Sequence, residues 1–201
     1  MSVKDNLTRE EYVYLAKLYE RAERFPEMVQ SINKFVELDP KLSKDERIIL
    51  SAGYKNIISG KRSSWRLLNG LERKEEKKNS TQIANIHEVK ANLKKELDQI
   101  CEQIQNIIDK YLLPNASNSE TKVFFLKLKG DYYRYKCEFD SDEDFPTTCD
   151  KAEKVYKEAY EIANKDLPIT NSIRIGLALN YSVFYYEIKG LKAVIKWYRY
   201  K

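Results

Sequence analysis

The chain has 201 residues, 42% of them apolar, which is enough for one substantial core or two small ones and too little for a large multidomain enzyme. Only six glycines and five prolines punctuate it while 33% of its residues are charged, a balance that argues against an all-β fold and for solvated helix faces. The net charge of +5 resides at one end, because residues 189–201 hold Lys189, Lys192, Lys196, Arg199 and Lys201 and no acid, so the body before them is neutral.

No apolar run is long enough to cross a bilayer, and the first residues lack the apolar stretch of a signal peptide, so a cytosolic location, with the nucleus also open, is expected. Cys101, Cys137 and Cys149 are odd in number and far apart, and they are expected as reduced thiols rather than as a disulfide framework or a zinc site.

Helix one is expected from about 8 to about 24, opened by Thr8 and Glu11 at capping-box spacing and carried by Leu15, Leu18, Ala22 and Phe25. Pro26 suits the first turn of a second helix through Val29, Ile32 and Val36, stopped at Leu38-Asp39-Pro40. Ser43 with Glu46 repeats the capping box and opens a third helix to about Leu71. The mixed run Glu72-Arg73-Lys74-Glu75-Glu76-Lys77-Lys78 reads as a solvated joint. Helix four carries Ile83, Ile86, Val89, Leu93, Leu97, Ile100, Ile104, Ile107 and Tyr111 over about eight turns, until Leu113-Pro114-Asn115. A fifth helix is expected from Ser119 to Phe139, a sixth from Pro146 to Asn164, and a seventh from near Asn171 through Leu177 and Phe184 to Ile188. Long helices with short joints pack antiparallel, giving an all-α bundle or solenoid. No fixed-period repeat is present.

Enzyme chemistry has no visible apparatus. The single histidine, His87, has no second ligand at metal spacing and reads as a surface helix residue. Phosphate loops, nucleophile elbows and zinc-protease motifs are absent from the sequence, so neither metal nor cofactor is expected. The informative positions are polar strips. At ~100° per residue, Lys55, Arg62 and Arg66 share a face of helix three. Lys127 and Arg134 recur seven apart on helix five, with Glu138 a turn further and Tyr135 adjacent. Gly176, Asn180, Val183 and Glu187 follow offsets of four, seven and eleven on helix seven. Stacked cations repel unless an acid or an anionic ligand balances them, so each strip is either a solvated face or part of an anion site. Arginine forks, a lysine point charge and a phenol suit phosphate oxygens, and an amide such as Asn180 suits the main chain of an extended peptide.

The segments Tyr54-Lys55-Asn56 with Arg62-Ser63-Ser64-Trp65-Arg66, Pro114-Asn115-Ala116-Ser117, Lys129-Gly130-Asp131-Tyr132-Tyr133-Arg134-Tyr135, and Arg174 to Ile188 around Gly176-Leu177-Ala178-Leu179-Asn180-Tyr181 resemble the most characteristic stretches of the 14-3-3 family. They occur in its order, and the resemblance covers about residues 8–188. It implies a single all-α domain of the 14-3-3 type over residues 1–188, followed by a divergent basic and aromatic tail at 189–201. It also implies a dimer of cup-forming subunits, each with a groove for a phosphoserine or phosphothreonine peptide. Carried over by position, Lys55, Arg62, Arg134 and Tyr135 match the phosphate-binding set, and Arg66 and Lys127 the supporting cations. Leu179, Asn180, Val183 and Glu187 match the peptide-contacting residues.

The resemblance further implies self-association through Leu18 and Ala22 on helix one against Ser64, Leu68 and Val89, with Arg24 and Glu96 as an intersubunit ion pair. At the place of a second pair Glu27 would meet the uncharged Asn92. Family members continue with two more helices, of which the last supplies the opposite apolar wall of the groove. Here the match fades after Ile188, and the tail, with Val194, Ile195, Trp197 and Tyr198, is expected to pack back in partial replacement of that wall. The leading expectation is a non-enzymatic adaptor for phosphorylated signalling partners, homodimeric or heterodimeric with another family member. The alternatives are a 14-3-3-like scaffold with lost or weakened phosphopeptide binding, and a tail that anchors nucleic acid or an acidic membrane.

Overall fold

The computed structural model describes residues 6–78 and 81–190, so the expected packing of the tail lies outside the described residues. Among these there are seven α-helices and no strand, and no helix is long and apolar enough to cross a membrane. The chain divides into two compact units, Met1–Ile107 and Ile108–Lys201.

The first unit holds α1 (Arg9–Arg21), α2 (Phe25–Leu38), α3 (Lys44–Lys77) and α4 (Ile83–Ile107). Both capping boxes form, Thr8 with Glu11 and Ser43 with Glu46, satisfying amides that a helix leaves without internal partners. Each helix packs on its neighbour in sequence, around Ala16, Met28, Ile32, Phe35, Leu50, Tyr54, Ile58, Leu97 and Ile104, all fully buried. Tyr54 carries a hydroxyl into this core and donates it to Asn33 Oδ1 at 2.8 Å. Arg9 and Glu46 meet at 2.6 Å and tie α1 to α3.

Two sequence expectations are corrected here. Helix one stops at Arg21 rather than about 24, because Glu23 adopts a left-handed conformation, φ 55°. Its N–H donates to Glu20 O and that of Arg24 to Tyr19 O, the pattern of a Schellman turn. The charge run is not a joint: residues 72–77 form the end of α3 and Lys78 is its C-cap. Glu72 accepts from Lys90 and lies 2.9 Å from His87 Nε2, and Lys78 pairs with Glu75, so cross-helix and local pairs hold the run in the helix.

The second unit opens with one π-helical turn, Ile108–Leu112, closed by Leu113 N–H donating to Ile108 O at 2.8 Å. It continues with α5 (Ser119–Lys136), α6 (Phe145–Asp166) and α7 (Ser172–Phe184), and a second π turn at Tyr185–Lys189. Helix five thus ends three residues before the expected Phe139. Small residues on α6, Ala152, Ala159 and Ala163, let α5 and α7 approach it, and the ring of Tyr156 fills the space between them together with Leu177 and Phe184. Gly130 on α5 is required by this approach, since a Cβ there would lie 2.8 Å from the Tyr156 ring. Cys101 in the first unit and Cys137 and Cys149 in the second are buried thiols.

Candidate phosphate and peptide site

In the second unit the helix ends are clamped first. Asn118 caps α5 by accepting from Thr121 N–H, and Asn171 caps α7 by accepting from Ile173 and Arg174 N–H. Asn171 also donates to Glu120 Oε2 at 3.0 Å, and Ser119 donates to Asp166 Oδ2 at 2.6 Å. Arg174 spans the α6–α7 joint, donating to Leu167 O at 2.6 Å and Asn164 Oδ1 at 2.8 Å. These bonds fix where α5, α6 and α7 face one another further along.

There Lys127, Asp131 and Arg134 fall on one face of α5 at offsets of four and seven, the spacing that brings side chains together along a helix. Lys127 Nζ donates to Asp131 Oδ2 at 2.9 Å. From α6 the Tyr156 hydroxyl donates to Asp131 Oδ1 at 2.5 Å, and from α7 Asn180 Nδ2 donates to the same oxygen at 2.7 Å. Arg134 Nε donates to the Tyr156 hydroxyl oxygen at 3.4 Å. Its Nη2 lies 3.8 Å from Asp131 Oδ1 and its Nη1 3.8 Å from Glu187 Oε2. The guanidinium also sits 4.6 Å above the Tyr135 ring, a cation–π contact.

The Arg134 side chain is only 8% exposed. Burial alone would lower its pKa, but Tyr156, Tyr135 and Asp131 outweigh that and move it upward. Burial, followed by the charge of Asp131, pushes the Tyr156 phenol up as well, so its proton stays in place. Glu187 rides on the second π turn, which is anchored to α6 because Glu153 accepts from Tyr185 at 2.8 Å and pairs with Lys189. That lysine, more than Tyr185, holds the Glu153 carboxyl below its usual range. Beside the polar cluster Leu179 is 62% exposed, Val183 is half-buried, and Leu177 and Phe184 face the core.

Of the predicted site residues, Lys127, Arg134 and Asn180 thus gather around the Asp131 carboxylate, and Tyr135 and Glu187 lie against Arg134. Lys55, Arg62 and Arg66 belong to α3 of the first unit, where Lys55 and Arg66 are exposed and Arg62 is half-buried. The residues expected at a self-association surface also lie in the first unit. Leu18 is 47% and Val89 52% exposed, Ala22 and Ser64 are exposed, and Leu68 is half-buried. Within the chain Arg24 pairs with Glu27 and Glu96 with Lys61. No group of His, Cys, Asp and Glu fit to hold a metal occurs among the described residues.

Sequence reasoning missed Asp131 and Tyr156. The signal for Asp131 was its place four residues after Lys127 and three before Arg134, on the strip already drawn. For Tyr156 it was a phenol inside an apolar stripe, since a buried hydroxyl needs a partner.

Compared with known proteins, residues 15–194 match the family model described as 14-3-3 protein. The checkpoint signal transducer rad24 of Schizosaccharomyces pombe is 47% identical over 182 residues, covering 90% of this chain and 67% of that protein. The 14-3-3-like protein C of Glycine max is 46% identical over 181 residues, 90% of this chain and 70% of its own. The 14-3-3 protein 3 of Entamoeba histolytica is 48% identical over 182 residues, covering 90% and 76%.

Proposed function

This chain belongs to the 14-3-3 family, and from that membership we propose that it is a non-enzymatic adaptor binding phosphoserine or phosphothreonine segments of signalling partners in the cytoplasm or nucleus. The observation that carries the reading is the Arg134 cluster. Two cations, Lys127 and Arg134, share one buried counter-ion, Asp131. The second acid near Arg134, Glu187, is 47% exposed at 3.8 Å, so the outer side of the guanidinium is balanced by a surface carboxylate whose place a phosphate can take beside the amide of Asn180. A phosphate brings nearly two negative charges and acceptor oxygens that match a guanidinium fork. Tyr135 next to Arg134 is assigned as a further donor, and Lys55 and Arg62 on α3, with Arg66 in support, are assigned to phosphate binding because they match the family's positions. Asn180 grips the peptide main chain, Glu187 its neighbouring polar groups, and Leu179 and Val183 its apolar side chains.

The relative from S. pombe is named a signal transducer, which supports the signalling part of this reading. Two copies are proposed to pair through Leu18 and Ala22 of one against Ser64, Leu68 and Val89 of the other, with Arg24 and Glu96 exchanging partners to bridge the subunits.

The test is fluorescence anisotropy with one peptide in phosphorylated and unphosphorylated form. Binding of the phosphorylated form alone is the expected result, and equal affinity for both forms overturns the proposal.

A further inference from the structure

Asp131 touches polar groups from all three helices of the second unit. It is 5% exposed, and an ionised carboxylate only accepts hydrogen bonds. A phenol has one proton. With that proton committed to Asp131 Oδ1 at 2.5 Å, the Tyr156 oxygen has only lone pairs to offer, and these face Arg134 Nε–H at 3.4 Å. Lys127 on Oδ2 and Asn180 on Oδ1 fix the carboxylate itself. The chain of contacts therefore occupies the inner nitrogen of the guanidinium, while Nη1 and Nη2 stand 3.8 Å from their acidic neighbours, beyond hydrogen-bond distance.

We propose that Asp131 is a positioning residue which sets the direction of the Tyr156 hydroxyl and, through it, holds the Arg134 guanidinium with its terminal fork turned to the ligand. The consequence for binding rests on the phosphopeptide reading above, whereas the geometry does not. Gly130 belongs to the same device, because only a residue without Cβ lets the Tyr156 ring come close enough to α5 for its hydroxyl to reach the next residue. An asparagine at 131 keeps the shape but brings a donor, so the phenol proton loses its fixed direction.

The experiment compares the full chain with Asp131→Asn, Tyr156→Phe and the double variant, using two readouts. One is anisotropy with a fluorescein-labelled phosphoserine peptide and its unphosphorylated twin. The other is the exchange rate of the Arg134 Nε proton by nitrogen-edited NMR, assigned by its loss in Arg134→Lys. Each single variant is expected to weaken phosphopeptide binding by about tenfold, the scale of one charge-assisted hydrogen bond, and to speed exchange of the Nε proton. The double variant should bind no worse than the weaker single one, because both act through one contact.

Wild-type affinity with unchanged Nε exchange in Asp131→Asn overturns the proposal, and so do fully additive losses. If Asp131→Asn does not fold, unchanged affinity and exchange in Tyr156→Phe overturn it alone. A wild-type chain that ignores phosphorylation refutes the proposed function instead, and the exchange comparison still decides the positioning.

Discussion

Arg134 is a cation kept inside the protein by what surrounds it, and substitutions there separate charge from shape. Arg134→Ala should cost ~1.5–3 kcal/mol of phosphopeptide affinity by calorimetry, the range for hydrogen bonds to a charged group. Arg134→Lys should recover little of that, since an ammonium has no Nε–H to place on Tyr156 and no fork for phosphate. His87→Ala should leave binding unchanged, because its side chain is 56% exposed and its contact is Glu72. Glu23 offers a gain rather than a loss. Its φ of 55° is strained for any residue with a Cβ, and Glu23→Gly should raise the melting stability by ~0.5–1 kcal/mol, read by thermal denaturation.

Lys127 and Arg134 of the Asp131 cluster were legible in the sequence because like charges at helical offsets stand out against a neutral body. Asp131 was not, since an acid one turn from a lysine reads as an ordinary surface pair. Tyr156 was not, since its ring fits the apolar stripe of α6 whether or not its hydroxyl is used.

Helix starts were legible wherever a side chain caps them. Thr8, Ser43 and Asn171 each accept from amides of the first turn, and a cap is a local signal. The end of α3 was not, because its support from Lys90 and His87 comes from α4, far along the chain. The π turns at Ile108 and Tyr185 leave no mark on a periodicity drawn at 3.6 residues per turn.

Two element contacts make checkable demands. Gly130→Ala should destabilise the second unit by ~1–3 kcal/mol through overpacking against Tyr156, seen as a lower melting temperature. Glu46 joins α1 to α3, and although burial opposes it, the bonds from Arg9 and Ser43 hold its pKa below the usual range. A depressed carboxylate contributes stability that is fully present above its unfolded pKa, about 4.3, and disappears as pH falls through the folded value. Circular dichroism melts from pH 7 downward should therefore show steeper acid destabilisation in wild type than in Glu46→Gln, which starts lower and falls less.

At the scale of the whole molecule, the exposed Leu18, Ala22 and Val89 of the first unit predict self-association, since apolar burial outweighs surface ion pairs worth ~0.2–1 kcal/mol. Sedimentation should give a dimer for the wild-type chain and a monomer for Leu18→Asp with Ala22→Gln. The monomer should bind a singly phosphorylated peptide as wild type does and lose the avidity shown toward a doubly phosphorylated one.

The buried cysteines bear on how such a molecule comes apart. Cys101 sits in the first unit and Cys137 and Cys149 in the second, each at most 5% exposed, so a thiol reagent reaches them only when the surrounding helices open. Labelling followed by mass spectrometry then times the opening of each unit separately, without any introduced probe. One shared rate means that the units open together, and two rates mean that they do not. A phosphopeptide bound to the native Arg134 cluster should slow the labelling of Cys137 and Cys149 in proportion to its occupancy.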